Sequence, residues 1–489
     1  MSFEQILPLL MFVGLAVGLF TGFPVAFVLG GVGILFAFGA MIYDPWLFDW
    51  AQFYAIPSRE FGISQNLILT AIPMFVLMGT MLEKSGIARD LLNCLQVLLR
   101  RVPGGLSLSV VVMGTILAAT TGIIGASVVM MTLLAMPVLL KGGYDKGLAA
   151  GSIAASGTLG ILIPPSIMLV IMADLLSRSV GNLFVAAVIP GFMLAAFYMI
   201  YVVTRCWLRP QDAPILPDDF GPSTTSGKLV MAARSFIPPV ILITIVLGSI
   251  LGGLATPTEA AAVGAFGAIM LGFINMVILP VCGVREMNFL PATFADYSKD
   301  EKRQTFIALV LQYFRIFWSV IVSSALTNAM IFGIFVGATV FAFTFRQIGG
   351  EEVVIHVFDS WGLGSWGILL AIMILTFLLG FFFDWIEITL IILPVFAPII
   401  AQLDFGAHVR PEDTVYWFAI LMAINLQTSF LTPPFGFALF YLKATAPAEV
   451  KIQDIYRGII PFVLLQLTGL ALVLTFPEIA MWLPRQLLN

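Results

Sequence analysis

The sequence predicts an all-α polytopic membrane protein built from two inverted structural repeats, each with a re-entrant helical hairpin and a broken helix. Three observations predict it. Of 489 residues, 60% are hydrophobic and only 10% are charged, whereas soluble domains carry about 25% charged residues. Apolar runs of about 20 residues, each able to cross a hydrocarbon core about 30 Å thick, recur from end to end. The order of spans and interruptions in the first half then returns in the second. At one matching point "SGTLGILIPPS" (residues 156–166) faces "LQTSFLTPPFG" (residues 426–436), each with a Pro-Pro pair after a polar or glycine stretch.

In chain order, spans are expected at residues 5–21, 23–42 and 66–82. The first lacks a basic start and a small-residue cleavage site, so it reads as a retained span and not a signal peptide. "EKSGIARDLLNCLQVLLRR" (residues 83–101) puts Ile87, Leu91, Leu95 and Leu98 on one stripe, predicting an amphipathic helix at the membrane surface. Residues 106–141 are mostly apolar but interrupted at "TTGIIGAS" (residues 120–127). At 1.5 Å per residue neither half crosses comfortably, so a re-entrant hairpin and two thin spans both fit. The broken segment around Gly157 follows, then a span at 183–203 and a Pro/Asp/Ser linker at 208–228.

The second half repeats this order. Spans are expected at 237–254, 257–280 and 323–345, with a short amphipathic piece at 351–360 carrying Val353, Val354, Val357 and Phe358. An interrupted block at 366–401, a second broken segment at 414–443 and a last span at 458–476 complete the chain. With the amino terminus outside and the interrupted blocks read as hairpins, seventeen Lys and Arg residues fall inside and five outside (Arg59, Arg178, Arg346, Arg410 and Arg485), Arg315 being unassigned. That positive-inside bias makes the hairpins open to opposite sides and the halves inverted repeats.

A helix broken inside the membrane exposes backbone groups that hydrocarbon cannot satisfy, so the break persists only where it lines a cavity or binds something. Proline supplies the stop and restart, and glycine permits close approach. Carbonyls that can hold a cation then lie beside helix amino termini that favour an anion. At the hairpin tips Gly122, Gly125 and Ser127 are expected to approach the first break, and Asp384 and Trp385 to approach Thr428, Ser429 and Thr432. Hard oxygen ligands suit Na⁺, and neither break holds Lys or Arg, so the pattern predicts Na⁺-coupled uptake of an anion. Candidate substrate contacts are Ser127, Thr158, Ser166, Gln427, Ser429 and Gly436.

Other polar residues have plainer explanations. Asp384 in an apolar block is a functional candidate, or a loop carboxylate if the hairpin tip is shallow, and Glu387 is more ambiguous. Glu259 in "TPTE" (residues 256–259) reads as a capping-box residue with Pro257 at the first helical position. Gly14/Gly18 and Gly333/Gly337 are packing pairs. Cys94, Cys206 and Cys282 are too scattered for a disulfide or metal framework. His356 and His408 lie outside the expected spans, and neither HExxH nor GxSxG occurs, so an intramembrane enzyme has little to work with. A channel fits inverted broken helices less well than alternating access does.

With these residues in view, the chain resembles the large membrane subunit of the tripartite ATP-independent periplasmic (TRAP) transporters. "TGFPVAF" (residues 21–27), "GTLGILIPPS" (157–166), "TPTEAAAVGA" (256–265), "FFFDWIEITLIILPVFAPII" (381–400) and "TPPFG" (432–436) are similar to that family's landmarks in its order. The resemblance implies an elevator-type carrier with a scaffold and a moving transport domain. It implies a small four-helix membrane subunit, a periplasmic substrate-binding protein, and Na⁺-driven uptake of organic acids across the bacterial inner membrane. By motif position the first Na⁺ site would fall on Gly122, Gly125, Ser127, Gly157 and Pro164, and the second on Asp384, Thr428, Thr432 and Pro433. A stand-alone symporter of the same superfamily, needing no binding protein, is the rival within transport.

Scaffold helices and an arm are then expected at 1–105, transport elements at 106–182, the last span of the first repeat at 183–207 and a linker at 208–236. The second repeat supplies scaffold and arm at 237–365, transport elements at 366–445 and a terminal span at 446–489. Both termini are expected in the periplasm. No cofactor beyond the coupling ion, no other metal and no nucleic-acid partner is expected. Two departures from the family stand out: residues 280–322 are longer and more polar than usual, and Gln427, Thr428 and Ser429 replace a glycine-containing approach to the second break. The latter resembles the branch associated with keto acids, monocarboxylates or aromatic acids.

Overall fold

The computed structural model describes residues 3–122, 124–215, 224–282, 299–360, 362–434 and 436–487, and all regular structure among them is helical. Helices α1 (Phe3–Phe20) and α2 (Val25–Tyr43) pack through small residues: a Cβ on Gly18 would lie 2.6 Å from Val28, and one on Gly14 3.0 Å from the Phe36 ring. Helix α3 (Trp50–Gln65) has no counterpart in the sequence reading. Its start is local chemistry. Asp49 accepts from the Gln52 N–H at 2.9 Å and the Gln52 side chain accepts from the Asp49 N–H, a capping box. Helix α4 (Ala71–Lys84) turns by 59° into α5 (Ile87–Leu99). The buried face of α5 is broader than the predicted stripe: Ala88, Leu92 and Cys94 join Ile87, Leu91 and Leu95, while Leu98 is exposed.

Helices α6 (Gly105–Thr121) and α7 (Ile124–Lys141) pack against each other on either side of the interruption. At 1.5 Å per residue each is about 26 Å long, short of a hydrocarbon core of about 30 Å. The first broken helix is α8 (Lys146–Thr158), a 3₁₀ turn (Leu159–Ile161) and α9 (Ile167–Leu175). Helix α10 (Val180–Leu208) leads to the inter-repeat segment, whose start is anchored by Arg205 to Asp145 (2.9 Å) and Asp212 (3.2 Å). Much of the rest of that segment lies outside the described residues.

In the second half α11 (Thr225–Ser235) and α12 (Ile237–Leu251) precede α13 (Pro257–Phe273), which continues through a π turn (Ile274–Ile278) into α14 (Leu279–Val281). Thr256 and Glu259 form the expected capping box. The expected span at 323–345 is part of a far longer helix, α15 (Lys299–Gln347), of 49 residues. The polar composition of its first turns hid the continuity, because hydropathy reports burial in lipid and not helicity. Residues 283–298 of the polar 280–322 segment lie outside the described residues. Then follow α16 (Gly350–Ser360), α17 (Ser365–Leu379), α18 (Trp385–Ile400), α19 (Thr414–Leu431), α20 (Phe437–Thr445), α21 (Ile452–Thr475) and α22 (Glu478–Leu487), the last also unanticipated. Among the described residues, eight helices are long and apolar enough to cross a membrane, or nine if α4 and α5 count as one bent span.

The interior is organised around the two helices that precede the breaks. Every residue of α8 from Gly147 to Thr158 is buried, as is α19 along almost its whole length. Helix α8 is rich in Gly, Ala and Ser because α21 lies against it backbone to backbone: a Cβ on Gly458 would overlap the Gly147 carbonyl, and one on Gly151 would overlap the Gly458 carbonyl. A peripheral group pairs α2 with α15 and α4 with α13 and α15. Gly337, one of the predicted packing glycines, lets α15 touch the Ala26 backbone of α2.

Candidate functional site

Each half positions its break with a hairpin tip. In the first, Gly122 ends α6 at φ 58, a conformation that L side chains rarely adopt, and a Cβ there would lie 2.9 Å from Ile167, the first residue of α9. Gly157, in the last turn of α8, meets the start of α7: its Cβ would lie 2.6 Å from Val128, the neighbour of Ser127. The tip formed by α6 and α7 therefore touches both sides of the first break. Ser127, Pro164 and Ser166 are buried there. The Thr158 hydroxyl donates to the Ala155 carbonyl (2.9 Å) and the Ser166 hydroxyl to the Ile161 carbonyl (2.8 Å), closing the turn on itself.

In the second half Asp384 caps α18. Its Oδ1 accepts from the Trp385 N–H at 2.8 Å, and its own N–H donates to Glu387 at 3.2 Å, so the ambiguous Glu387 is the capping partner. Thr428 donates to the Ile424 carbonyl, Ser429 to that of Leu426 and Thr432 to that of Thr428, each at 2.8 Å. Each hydroxyl oxygen keeps acceptor capacity. Among the described residues no hydrogen bond joins Asp384 to these hydroxyls. The hairpin instead meets the second break through Gly380, which has no room for a Cβ beside the Ser429 hydroxyl. Gly436 is buried, its Cβ position 2.5 Å from the Phe430 carbonyl, whereas Thr432 and Pro433 are half-buried and Pro434 is exposed. Phe435 lies outside the described residues.

The two breaks meet. The buried Gln427 amide of α19 donates to the Thr158 hydroxyl of α8 at 3.3 Å and to the Tyr198 hydroxyl of α10 at 3.4 Å. Among the described residues its carbonyl oxygen is buried with no hydrogen-bond partner, and the buried Gln466 side chain of α21 lies beside the same Tyr198 hydroxyl. A second junction is formed by Tyr441 of α20. A Cβ on Gly125 would lie 2.8 Å from its ring, and the carboxylates of Asp384 and Glu387 lie within electrostatic reach of its phenol. Tyr198, Tyr441 and Gln466 were not among the sequence candidates. A polar residue at the centre of an otherwise apolar span was the signal for Gln466 and Tyr198, whereas Tyr441 stands near a helix end and carried none. His408 donates from Nε2 to the Leu474 carbonyl (2.9 Å) within an aromatic cluster of Trp366 and Trp417, away from both breaks.

The arrangement brings buried hydroxyl and amide oxygens of the two breaks together at Thr158 and Gln427, and among the described residues no strong nucleophile stands at either break. Such a centre can hold and release small ions and polar solutes, and it has no evident bond-breaking chemistry.

Residues 12–479 match the family described as "Tripartite ATP-independent periplasmic transporter, DctM component". The C4-dicarboxylate TRAP transporter large permease protein DctM of Pseudomonas aeruginosa is 28% identical over 88% of this chain and 89% of its own length. Its namesake in Rhodobacter capsulatus is 29% identical over 95% of this chain and 98% of its own. Among solved structures, the Alcanivorax borkumensis YdaH transporter shares the fold, with a TM-score of 0.55 at 15% identity over 89% of this chain and 88% of that one.

Proposed function

Because the chain belongs to the DctM-component family of tripartite ATP-independent periplasmic transporters, a family of transporters and not of enzymes, we propose that it takes up an organic acid in symport with Na⁺. The substrate arrives from a periplasmic binding protein, and the chain works beside a small membrane subunit in the bacterial inner membrane, with both termini in the periplasm. Relatives named for C4-dicarboxylates support an organic acid. The divergent Gln427, Thr428 and Ser429 leave a keto acid, monocarboxylate or aromatic acid in contention with a dicarboxylate.

The observation that carries this reading is the contact between the two breaks, Gln427 on Thr158. It gives one centre to which both repeats contribute, as alternating access requires. In that centre Na⁺ is held by oxygens around Gly122, Gly125, Ser127, Gly157 and Pro164 on one side. Asp384, Thr428, Thr432 and Pro433 hold it on the other. Ser127, Thr158, Ser166, Gln427, Ser429 and Gly436 line the path of the substrate. Both hairpins and both broken helices move as one transport domain past a scaffold that includes α2, α4, α13 and α15. A low-dielectric centre without Lys or Arg binds an anion best when the cations are already in place, which couples the two fluxes.

Reconstitution tests the reading. The chain and its small subunit in liposomes should accumulate the acid only with an inward Na⁺ gradient and the cognate binding protein. Uptake undiminished without the binding protein makes the chain a stand-alone symporter. Uptake indifferent to Na⁺ removes the coupling, and a flux that never saturates makes the chain a channel.

A further inference from the structure

A polar cavity of about 300 Å³ lies apart from the breaks, between α3 and α15 on one side and the end of α9 and the middle of α18 on the other. That volume is at the lower end of small-ligand sites, which run from about 300 to 1,000 Å³. Its polar lining is Arg59, Arg346, Gln347, Thr339 and Asp174, and its apolar lining includes Phe335 and Leu390.

The charges in it are unequally committed. Arg346 is engaged, its Nε 3.0 Å from Glu351 and one terminal nitrogen donating to the Pro394 carbonyl at 2.6 Å. Asp174 accepts from the Asn66 side-chain amide at 2.6 Å. Arg59 lies 5.7 Å from the centre of the Phe343 ring, and among the described residues no carboxylate pairs with it. A guanidinium stacked on an aromatic ring keeps its planar fork of donors available, and that fork matches a carboxylate edge-on. Phe335 and Leu390 then face a short carbon skeleton, and Thr339 adds a neutral hydroxyl. With Arg346 matched by Glu351, the remaining lining charges are Arg59 and Asp174. The carboxylate of Asp174 disfavours an anion on the α9 side and confines it to the α3 and α15 side.

We propose that this cavity is a second binding site for a small carboxylate, held bidentately by Arg59 and distinct from the centre between the breaks. The proposal rests on the reading of the chain as an organic-acid carrier, and it makes the cavity a staging point that raises the local concentration of the acid. Its walls belong to both groups of helices. Only a few side-chain bonds cross it, Arg346 to Pro394 and Asn66 to Asp174 among them.

The test needs no transport. The full chain in nanodiscs is treated with phenylglyoxal, and modification of Arg59 relative to the exposed Arg410 is read by peptide mass with and without succinate. Succinate should protect Arg59 and leave Arg410 unchanged. No protection, or equal protection by inorganic phosphate, overturns a carboxylate site, and protection that follows added phosphatidylglycerol in place of succinate assigns the cavity to a lipid headgroup. In liposomes, Arg59→Cys in a Cys282→Ser background should raise KM about tenfold, the effect of losing a hydrogen bond to a charged group, with kcat within about twofold. A cationic thiol reagent should restore KM and an anionic one should not; equal rescue by both would reduce Arg59 to a packing role. Absence of all uptake by the unmodified protein would sink the carrier reading while leaving the protection result standing.

Discussion

The two broken helices place the same device in different chemical settings. The first, between α8 and α9, is buried throughout, and its hydroxyls at Thr158 and Ser166 turn back onto the local backbone. The second, between α19 and α20, opens at Pro434 and carries Gln427, Thr428, Ser429 and Thr432, with the Gln427 carbonyl oxygen unpartnered among the described residues. The hydroxyls of the second break donate to their own helix in the same way, so the breaks differ in burial and in the Gln427 amide that the second carries. Where side chains remain available, chemistry can change without changing the path of the chain. On this comparison, the proposed ion site at the first break would depend on backbone geometry, and the proposed substrate choice on side chains at the second.

The largest effect should come from Gly122→Val. At φ 58 a branched residue is strained by about 1–2 kcal/mol, and its Cβ would meet Ile167 at 2.9 Å. Uptake should be lost while the protein still inserts; wild-type uptake would refute a first site made by close backbone approach. Asp384→Asn comes next. Asn caps helices as well as Asp does, whereas Asp384→Ala loses about 1 kcal/mol of stability. Melting of Asp384→Asn should therefore match the parent, with the Na⁺ concentration for half-maximal uptake raised about tenfold, as for a lost hydrogen bond to a charged group. An unchanged Na⁺ dependence would leave Asp384 as a cap alone.

Gln427→Leu should shift substrate affinity severalfold and leave Na⁺ affinity alone. Its stability cost should stay within about 1 kcal/mol, because the bonds it loses are long and an unsatisfied acceptor goes with them. A change in Na⁺ affinity instead would move the ion to the junction of the breaks. The smallest effect is expected from Ser166→Ala, which removes the bond to the Ile161 carbonyl. It should lower stability by about 1 kcal/mol with the ratio of rates for two competing acids unchanged. An altered ratio would place selectivity at the first break as well.

Much of the candidate site was legible along the chain. Two Pro-Pro pairs in register, Gly122 between apolar halves and Asp384 inside a hydrophobic block each break a local rule, and a broken rule can be seen one residue at a time. Thr256 and Glu259 were readable for the same reason, since a capping box spans four residues. Other features were not readable. Helix α3 mixes Pro57, Arg59 and Glu60 with aromatics and buries none of its residues, so neither periodicity nor hydropathy marks it. The first turns of α15 look like a loop by composition.

Residue order alone is enough to mark a membrane protein of two repeats, each interrupted at a Pro-Pro pair, because hydropathy, backbone donors and proline geometry act within a few residues. What the interruptions face is set by helix packing. Thr158 and Gln427 are 269 positions apart and share a hydrogen bond, and Gly125 opens a seat for the ring of Tyr441 from the other half. Such pairs are set by how α7, α8, α19 and α20 pack together, where one missing Cβ decides how closely two backbones approach. A local pattern can announce that a helix breaks; packing alone selects the partner of the break.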